Sequence, residues 1–164
     1  MHWAKEIATT ALLIFILANA ISLFRSPELD DKNLPDITTI LTNHELFSTA
    51  DFKNKPLLIH FWATWCPTCK LEASNIQSLS KNFNVLTIAV NSGSNEKINA
   101  YLKEHDLNFK VINDEQGHLA REFSVQAYPT SFIYNKDNTL SFTEVGYTST
   151  LGLKLRMWWA SLSK

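Results

Sequence analysis

The chain has 164 residues, the size of one ordinary domain with a short extension, and its 45% hydrophobic and 12% aromatic content suits a packed core rather than a disordered chain. Its 15 basic and 16 acidic side chains leave a formal net charge of -1 with no long run of either sign. That balance excludes the basic face a nucleic-acid partner would need.

The amino terminus opens with Ile7 to Phe24, eighteen residues without a charge. As a helix this run would span roughly 27 Å, close to the roughly 30 Å of a hydrocarbon core. The rival reading is a secretory signal, with Lys5 as the positive start and Ala18-Asn19-Ala20 as an A-x-A cleavage site. A retained anchor is favoured because Ile21, Leu23 and Phe24 continue the apolar run past that cut. Both readings export the rest of the chain. Basic residues near the two ends are too few to fix orientation by themselves. Ser26 to Asp36 carries two prolines and several charges without an apolar period, which marks a linker. The chain therefore divides into an anchor over 1–25, a linker over 26–33 and a folded domain over 34–164.

Within the domain, Pro56 to Ala63 ("PLLIHFWA") is an apolar run of strand length. A helix follows from about Cys66 to Phe83, with Ile76, Leu79 and Phe83 as its buried stripe and Lys70, Glu72 and Lys81 left to water. Val85 to Val90 is a second buried strand, Asn95 to His105 a second helix, Phe109 to Ile112 a short strand and Gly117 to Phe123 a helical turn. Ser131 to Tyr134 and Leu140 to Val145 alternate like antiparallel strands joined across "NKDN", whose Asn and Asp suit a hairpin turn. A last helix starts near Thr148, weakened by Gly152 by about 1 kcal/mol relative to Ala. Strands alternating with helices and then a hairpin imply an α/β domain, a mixed sheet covered on both faces.

The two cysteines of the chain, Cys66 and Cys69, lie in "FWATWCPTCK" where the first strand hands over to the first long helix. Unpaired N–H groups at a helix start act as about half a positive charge, which favours a thiolate at Cys66. Pro67 is tolerated in a first helical turn, where its missing N–H would have had no partner. Cys69 falls one turn on, within bonding reach, so the pair can open and close a disulfide with little backbone motion. A Cys66 thiolate would attack a substrate disulfide and Cys69 would resolve the mixed intermediate. Three other readings compete. Half a zinc site fares poorly because there is no second C-x-x-C and the histidines form no H-x-x-x-H pair. A static staple closing so short a loop removes little chain entropy. A two-coordinate soft-metal module, such as a Cu(I) carrier, stays open as the alternative from another functional class.

"FWATWCPTCKLEASNI", with "VQAYPTSFIY" sixty residues on, resembles the thioredoxin superfamily. Within it the chain is most similar to the membrane-anchored TlpA-like branch of protein disulfide oxidoreductases, the subgroup typified by suppressor of copper sensitivity protein D; "GYTSTLGLKLRMWWA" also looks like that subgroup. The resemblance spans roughly Leu34 to Leu162. It implies a thioredoxin fold with an extra strand-helix insertion around Asn95 to Ile112. It also implies a periplasmic domain beyond an inner-membrane helix, a DsbD-like membrane electron donor, disulfides of exported proteins as substrates, and neither cofactor nor resident metal. By position, Cys66 matches the family's exposed nucleophile, Cys69 its buried resolving thiol, and Pro129 the proline held in cis beside the site. Trp62, Trp65, Pro67, Thr68 and Tyr128 would frame the substrate groove, with core packing as the other account of the two tryptophans, stronger for Trp62 than for Trp65.

Two positions depart from the pattern. His60 stands where thioredoxins carry a buried aspartate that assists proton transfer; a neutral, hydrogen-bonded core histidine accounts for it equally well. Tyr128 stands where a smaller or aliphatic residue commonly precedes the proline, leaving substrate identity open. His118 and Glu72 read as exposed helix-surface residues. Pro67-Thr68 puts no charge or imidazole between the thiols, which points to a reducing pair rather than a strong oxidant, with a disulfide-forming oxidase as the alternative.

Overall fold

The computed structural model describes residues 31–163 without a break, and residues 3, 6, 7, 9, 10, 27 and 29 besides. Most of the apolar run Ile7–Phe24, its A-x-A alternative and part of the linker lie outside the described residues. Among the described residues, no helix is long and apolar enough to cross a membrane.

The strand expected from the apolar run is β3 (Leu57–Trp62), all six residues of which are buried. A strand buried on both faces must be central, and β3 is: it pairs in parallel with β4 (Asn84–Val90), which pairs in parallel with β5 (Lys110–Asp114). On its other side β3 pairs antiparallel with β6 (Thr130–Tyr134), and β6 with β7 (Leu140–Val145), giving the order β5-β4-β3-β6-β7. This is the mixed sheet the sequence implied.

Strand alternation sends β3 side chains to two separate cores. Leu58 and Trp62 face helices α1 (Pro67–Ser80), α2 (Asn95–Glu104) and α4 (Thr150–Leu162), packing with Ile76, Ile98 and Leu153. Leu57, Ile59 and Phe61 face the short α3 (His118–Glu122) and an amino-terminal hairpin of β1 (Thr38–Ile40) and β2 (Leu46–Ser48), packing with Phe47, Ala120 and Phe132.

The hairpin, and the 3-10 turn Thr49–Phe52 after it, have no counterpart among the elements read from the sequence. Strands of three residues are too short to display an alternating pattern. Helix α1 ends at Ser80, so Phe83 lies beyond it rather than on its stripe. Helix α4 begins at Thr150, because the Ser149 side chain caps it by accepting from the Gly152 N–H at 3.2 Å. A Cβ on Gly152 would come within 3.1 Å of the Arg156 guanidinium and 3.3 Å of Thr148, so the residue that weakens an isolated helix here permits a close approach.

Candidate active site

The chain leaves β3 at Trp62 and turns at once into α1. The turn is held by the Thr64 N–H donating to Ser92 Oγ at 3.0 Å and by the Cys66 N–H donating to the Ala63 carbonyl at 3.2 Å. Cys66 is the N-cap of α1, with extended backbone and Pro67 following. Its Sγ accepts from the Cys69 N–H at 3.1 Å, in the way a Ser or Asp cap oxygen would. The Cys69 amide thus points at the sulfur, and any charge it carries is stabilised by the helix dipole. Cys66 and Cys69 are joined in a disulfide with Cα atoms 5.2 Å apart, within the usual range of about 4.4–6.8 Å.

The loop before β6 closes over the pair. The Tyr128–Pro129 peptide bond is cis, and the Tyr128 carbonyl oxygen lies 3.7 Å from Cys66 Sγ. In the disulfide that sulfur carries no proton, so the approach is a contact; in the dithiol the same oxygen can accept from the thiol. Pro129 is buried, and its carbonyl accepts from the Gly146 N–H at 2.8 Å, tying the loop to the end of β7. Trp65 stands out at 56% exposure, its ring edge-on to Tyr128 at 5.8 Å and its indole N–H donating to the Asn91 carbonyl at 3.1 Å. Pro67 is exposed and Thr68 half-buried on the same rim.

Three expectations need correcting. Cys66 is not more open than its partner: the residues are 4% and 3% exposed, because Sγ of Cys66 is turned under the Tyr128 carbonyl. Trp62 is not part of the groove. It is 3% exposed, packs against Tyr101 and Phe109, and donates its indole N–H to Thr87 Oγ1 at 3.1 Å, as its place on a buried strand requires. Glu72 is not on the surface. It is 1% exposed because the start of α4 crosses it: the Thr148 N–H donates to Glu72 Oε1 at 3.0 Å, while Asn75 bonds both Thr148 and Thr150. Among the described residues Glu72 Oε2 has no hydrogen-bond partner.

The missed signal was in the stripe itself. Cys69, Glu72, Ile76 and Leu79 are the buried positions of α1 and recur at spacings of three, four and three, so extending the apolar period back one turn lands on Glu72. Burial, reinforced by the nearby Glu144 and only partly offset by the Thr148 bond, pushes this carboxyl up to about 8, so it is mostly protonated at neutral pH.

His60 is 2% exposed, on the helix-covered face with Leu58 and Trp62, and its Nδ1 lies 2.9 Å from Ser131 Oγ. Burial holds it down at about 3, which makes it a neutral imidazole. The sheet register continues this as a polar row: Thr87 pairs with His60, His60 with Ser131, and Ser131 with Glu144, which forms an ion pair with Arg156 of α4 at 2.5 Å. His118, as expected, is exposed, bonded to Gln116 and Arg121. Among the described residues no group of three His, Cys, Asp or Glu side chains is placed to hold a metal ion.

A buried dithiol pair at a helix N-terminus, roofed by a peptide carbonyl, can do one kind of chemistry well: two-electron exchange with another disulfide. Known proteins agree. A thioredoxin-like protein of Haemophilus influenzae is 30% identical over 151 residues, covering 91% of this chain and 89% of that protein. The thiol-disulfide oxidoreductase ResA of Bacillus subtilis is 28% identical over 141 residues, covering 80% of this chain and 79% of that one. The crystal structure of a thioredoxin-family thiol:disulfide interchange protein from Chlorobium tepidum superposes with a TM-score of 0.72 at 24% identity, over 82% of this chain and 99% of that one, a likeness of fold. Residues 29–153 match the Redoxin family. The chain therefore belongs to the Redoxin family within the thioredoxin superfamily, with the TlpA-like proteins among its relatives, and is a thiol-disulfide oxidoreductase.

Proposed function

We propose that the protein is anchored in the inner membrane by residues 7–24, with its amino terminus in the cytoplasm, and reduces disulfides of exported proteins from the periplasmic side. A DsbD-like membrane donor recharges it. On this reading α2 and β5 are the strand-helix insertion of the TlpA-like branch. The observation that carries the redox role is the Cys66–Cys69 disulfide capped by α1 and set 3.7 Å beneath the Tyr128 carbonyl.

The cycle balances as follows. The Cys66 thiolate attacks one sulfur of a substrate disulfide, forming a mixed disulfide and expelling the other substrate sulfur as a thiolate. Cys69, after losing its proton, attacks Cys66 Sγ, closing the internal disulfide and expelling the second substrate thiolate. Two electrons leave the protein, and the two substrate thiolates take up protons. The donor returns two electrons as a dithiol by the same exchange. His60, a neutral imidazole on the sheet face beneath α1, is the candidate to receive the Cys69 proton; Glu72, one turn from Cys69 on the buried stripe, can do so only in the ionised fraction that grows as pH rises toward about 8. Pro129 holds the roof, and Trp65, Pro67, Thr68 and Tyr128 form the rim on which an extended chain would lie, its backbone pairing beside Tyr128 as an added strand does.

A Cys69→Ala variant is expected to accumulate mixed disulfides through Cys66 with exported proteins, identified by diagonal gels and mass spectrometry. Titration of the full chain against glutathione is expected to give a reducing potential. A value near that of DsbA, about -120 mV, would make it an oxidase instead, and copper bound by the pair with no trapped protein would favour a metal carrier.

A further inference from the structure

Helix α4 is apolar on two opposite sides. Leu153, Met157 and Ala160 are buried against the sheet. Leu151, Leu155, Trp158, Trp159 and Leu162 are each more than half exposed. At about 100° per residue, the second set falls in one stripe about 100° wide, facing away from the first. The same helix carries Lys154 and Arg156 and no acidic residue. Five large side chains aligned on one outer face are not the scattered apolar residues of an ordinary surface.

The path of the chain says what could cover them. Helix α4 starts beside Glu72 and Asn75, near the active-site end of the sheet, where Thr130 pairs with Val145. It contacts β6 and, at about 1.5 Å per residue, its thirteen residues run about 20 Å toward the opposite pole. At that pole the amino-terminal segment joins the domain: Asn33 bridges Thr139, the Leu34 N–H donates to Asn138 and the Leu140 N–H to Lys32. Residues 25–32 separate this junction from the apolar run that ends at Phe24, a reach of at most about 29 Å, and of these Leu29 packs with Leu34 on the sheet face opposite α4. The end of α4 bearing both tryptophans is thus at the pole tied closest to the apolar run. Arg156 is paired with Glu144, so Lys154 is the basic residue left at its flank; a helix with tryptophans on its apolar face and such a flank suits the headgroup boundary of a bilayer.

We infer that the outer stripe of α4, Leu151, Leu155, Trp158, Trp159 and Leu162, is a membrane-contact surface that seats the domain against the lipid interface, a placement that rests on residues 7–24 being the anchor proposed above. The redox pair is then held at a set height and orientation to the bilayer instead of swinging on the linker.

The test reconstitutes the full chain into phosphatidylethanolamine and phosphatidylglycerol vesicles doped with phosphatidylcholine brominated in its acyl chains, and reads tryptophan quenching. The expected result is that the chain floats with the vesicles through a salt wash, and that the Trp158→Phe/Trp159→Phe variant loses a large part of the lipid-dependent quenching. Insulin reduction by that variant should match the unsubstituted chain, showing that it folds. Leu151→Gln/Leu155→Gln, which keeps both tryptophans, should weaken their quenching. Flotation with identical quenching in the presence and absence of Trp158 and Trp159 overturns the inference and leaves the anchor standing. Failure to float removes the anchor and the inference together. Shielding of the two tryptophans from iodide that rises with protein concentration and not with lipid would assign the stripe to a second copy of the chain, and also overturns it.

Discussion

The two faces of β3 are built from alternate residues of one strand and differ in kind. Leu57, Ile59 and Phe61 look onto a layer dominated by rings, in which Phe61, Phe123 and Phe132 meet at centroid distances of 5.0 to 5.8 Å and the polar atoms of Thr130 and Tyr134 are the exceptions. Leu58, His60 and Trp62 look onto the side where the disulfide lies, which also holds the His60–Ser131 pair, the Trp62–Thr87 bond and the buried Glu72. Burying polar groups costs stability unless each is paired, and among the described residues neither Glu72 Oε2 on this side nor the Tyr134 hydroxyl on the other has a hydrogen-bond partner. Both faces bury large apolar clusters, but the carboxyl and imidazole that burial shifts, Glu72 and His60, sit on the face that carries the sulfurs. A residue's side of the sheet should therefore decide which measurement its replacement moves.

The largest effect is expected on the apolar side. Phe132→Ala removes a fully buried ring that touches two others, and should cost about 3–5 kcal/mol in urea unfolding of the oxidised protein. The Cys66–Cys69 potential should stay where it was. A shifted potential would show the two faces to be coupled and break the distinction.

On the polar side the expected signature is pH dependence. Glu72 is raised from 4.5 to about 8 on folding, so its contribution to stability is full below pH 4.5 and is lost as pH rises through about 8. His60 is lowered from 6.5 to about 3, so its contribution is full above pH 6.5 and is lost as pH falls toward 3. The two slopes oppose each other between pH 4.5 and 6.5, where the stability curve should be flattest. Glu72→Gln should flatten the alkaline limb and His60→Gln the acid limb, each by on the order of a few kcal/mol across its window, read by denaturant unfolding at a series of pH values. An unchanged alkaline limb in Glu72→Gln would mean that the carboxyl is hydrated in solution.

What could be read in advance follows the same division. The central strands, the long helices and the C-x-x-C were legible because each carries a run or period long enough to stand above noise. The face assignment of His60 was legible from alternation alone. Glu72 reads as a surface residue by its charge, whereas its position on the buried stripe decides its place and the crossing of Thr148 over α1 supplies its hydrogen bond. Trp62 and Trp65, three residues apart in one motif, could not be told apart by type. One completes a strand and packs against Tyr101 and Phe109, while the other sits in the turn after it. The hairpin β1–β2 gains its order from the sheet it covers, through contacts such as the Thr42 N–H donating to Val111.

That pair of tryptophans supplies the smallest and sharpest test. Trp65 is more than half exposed, and truncation removes its edge contact with Tyr128 and its indole hydrogen bond to the Asn91 carbonyl, so Trp65→Ala should cost about 1–2 kcal/mol of unfolding stability, well below the Phe132→Ala loss. A substrate chain lying along the rim would lose an aromatic contact of about 0.5–1.5 kcal/mol, roughly two- to tenfold in kcat/KM for a protein disulfide. A small disulfide such as oxidised glutathione has no chain to lay there, so its rate should be unaffected. Equal losses for both substrates would mean that Trp65 acts on the sulfurs themselves, and a large loss of stability would place it with Trp62 in the core.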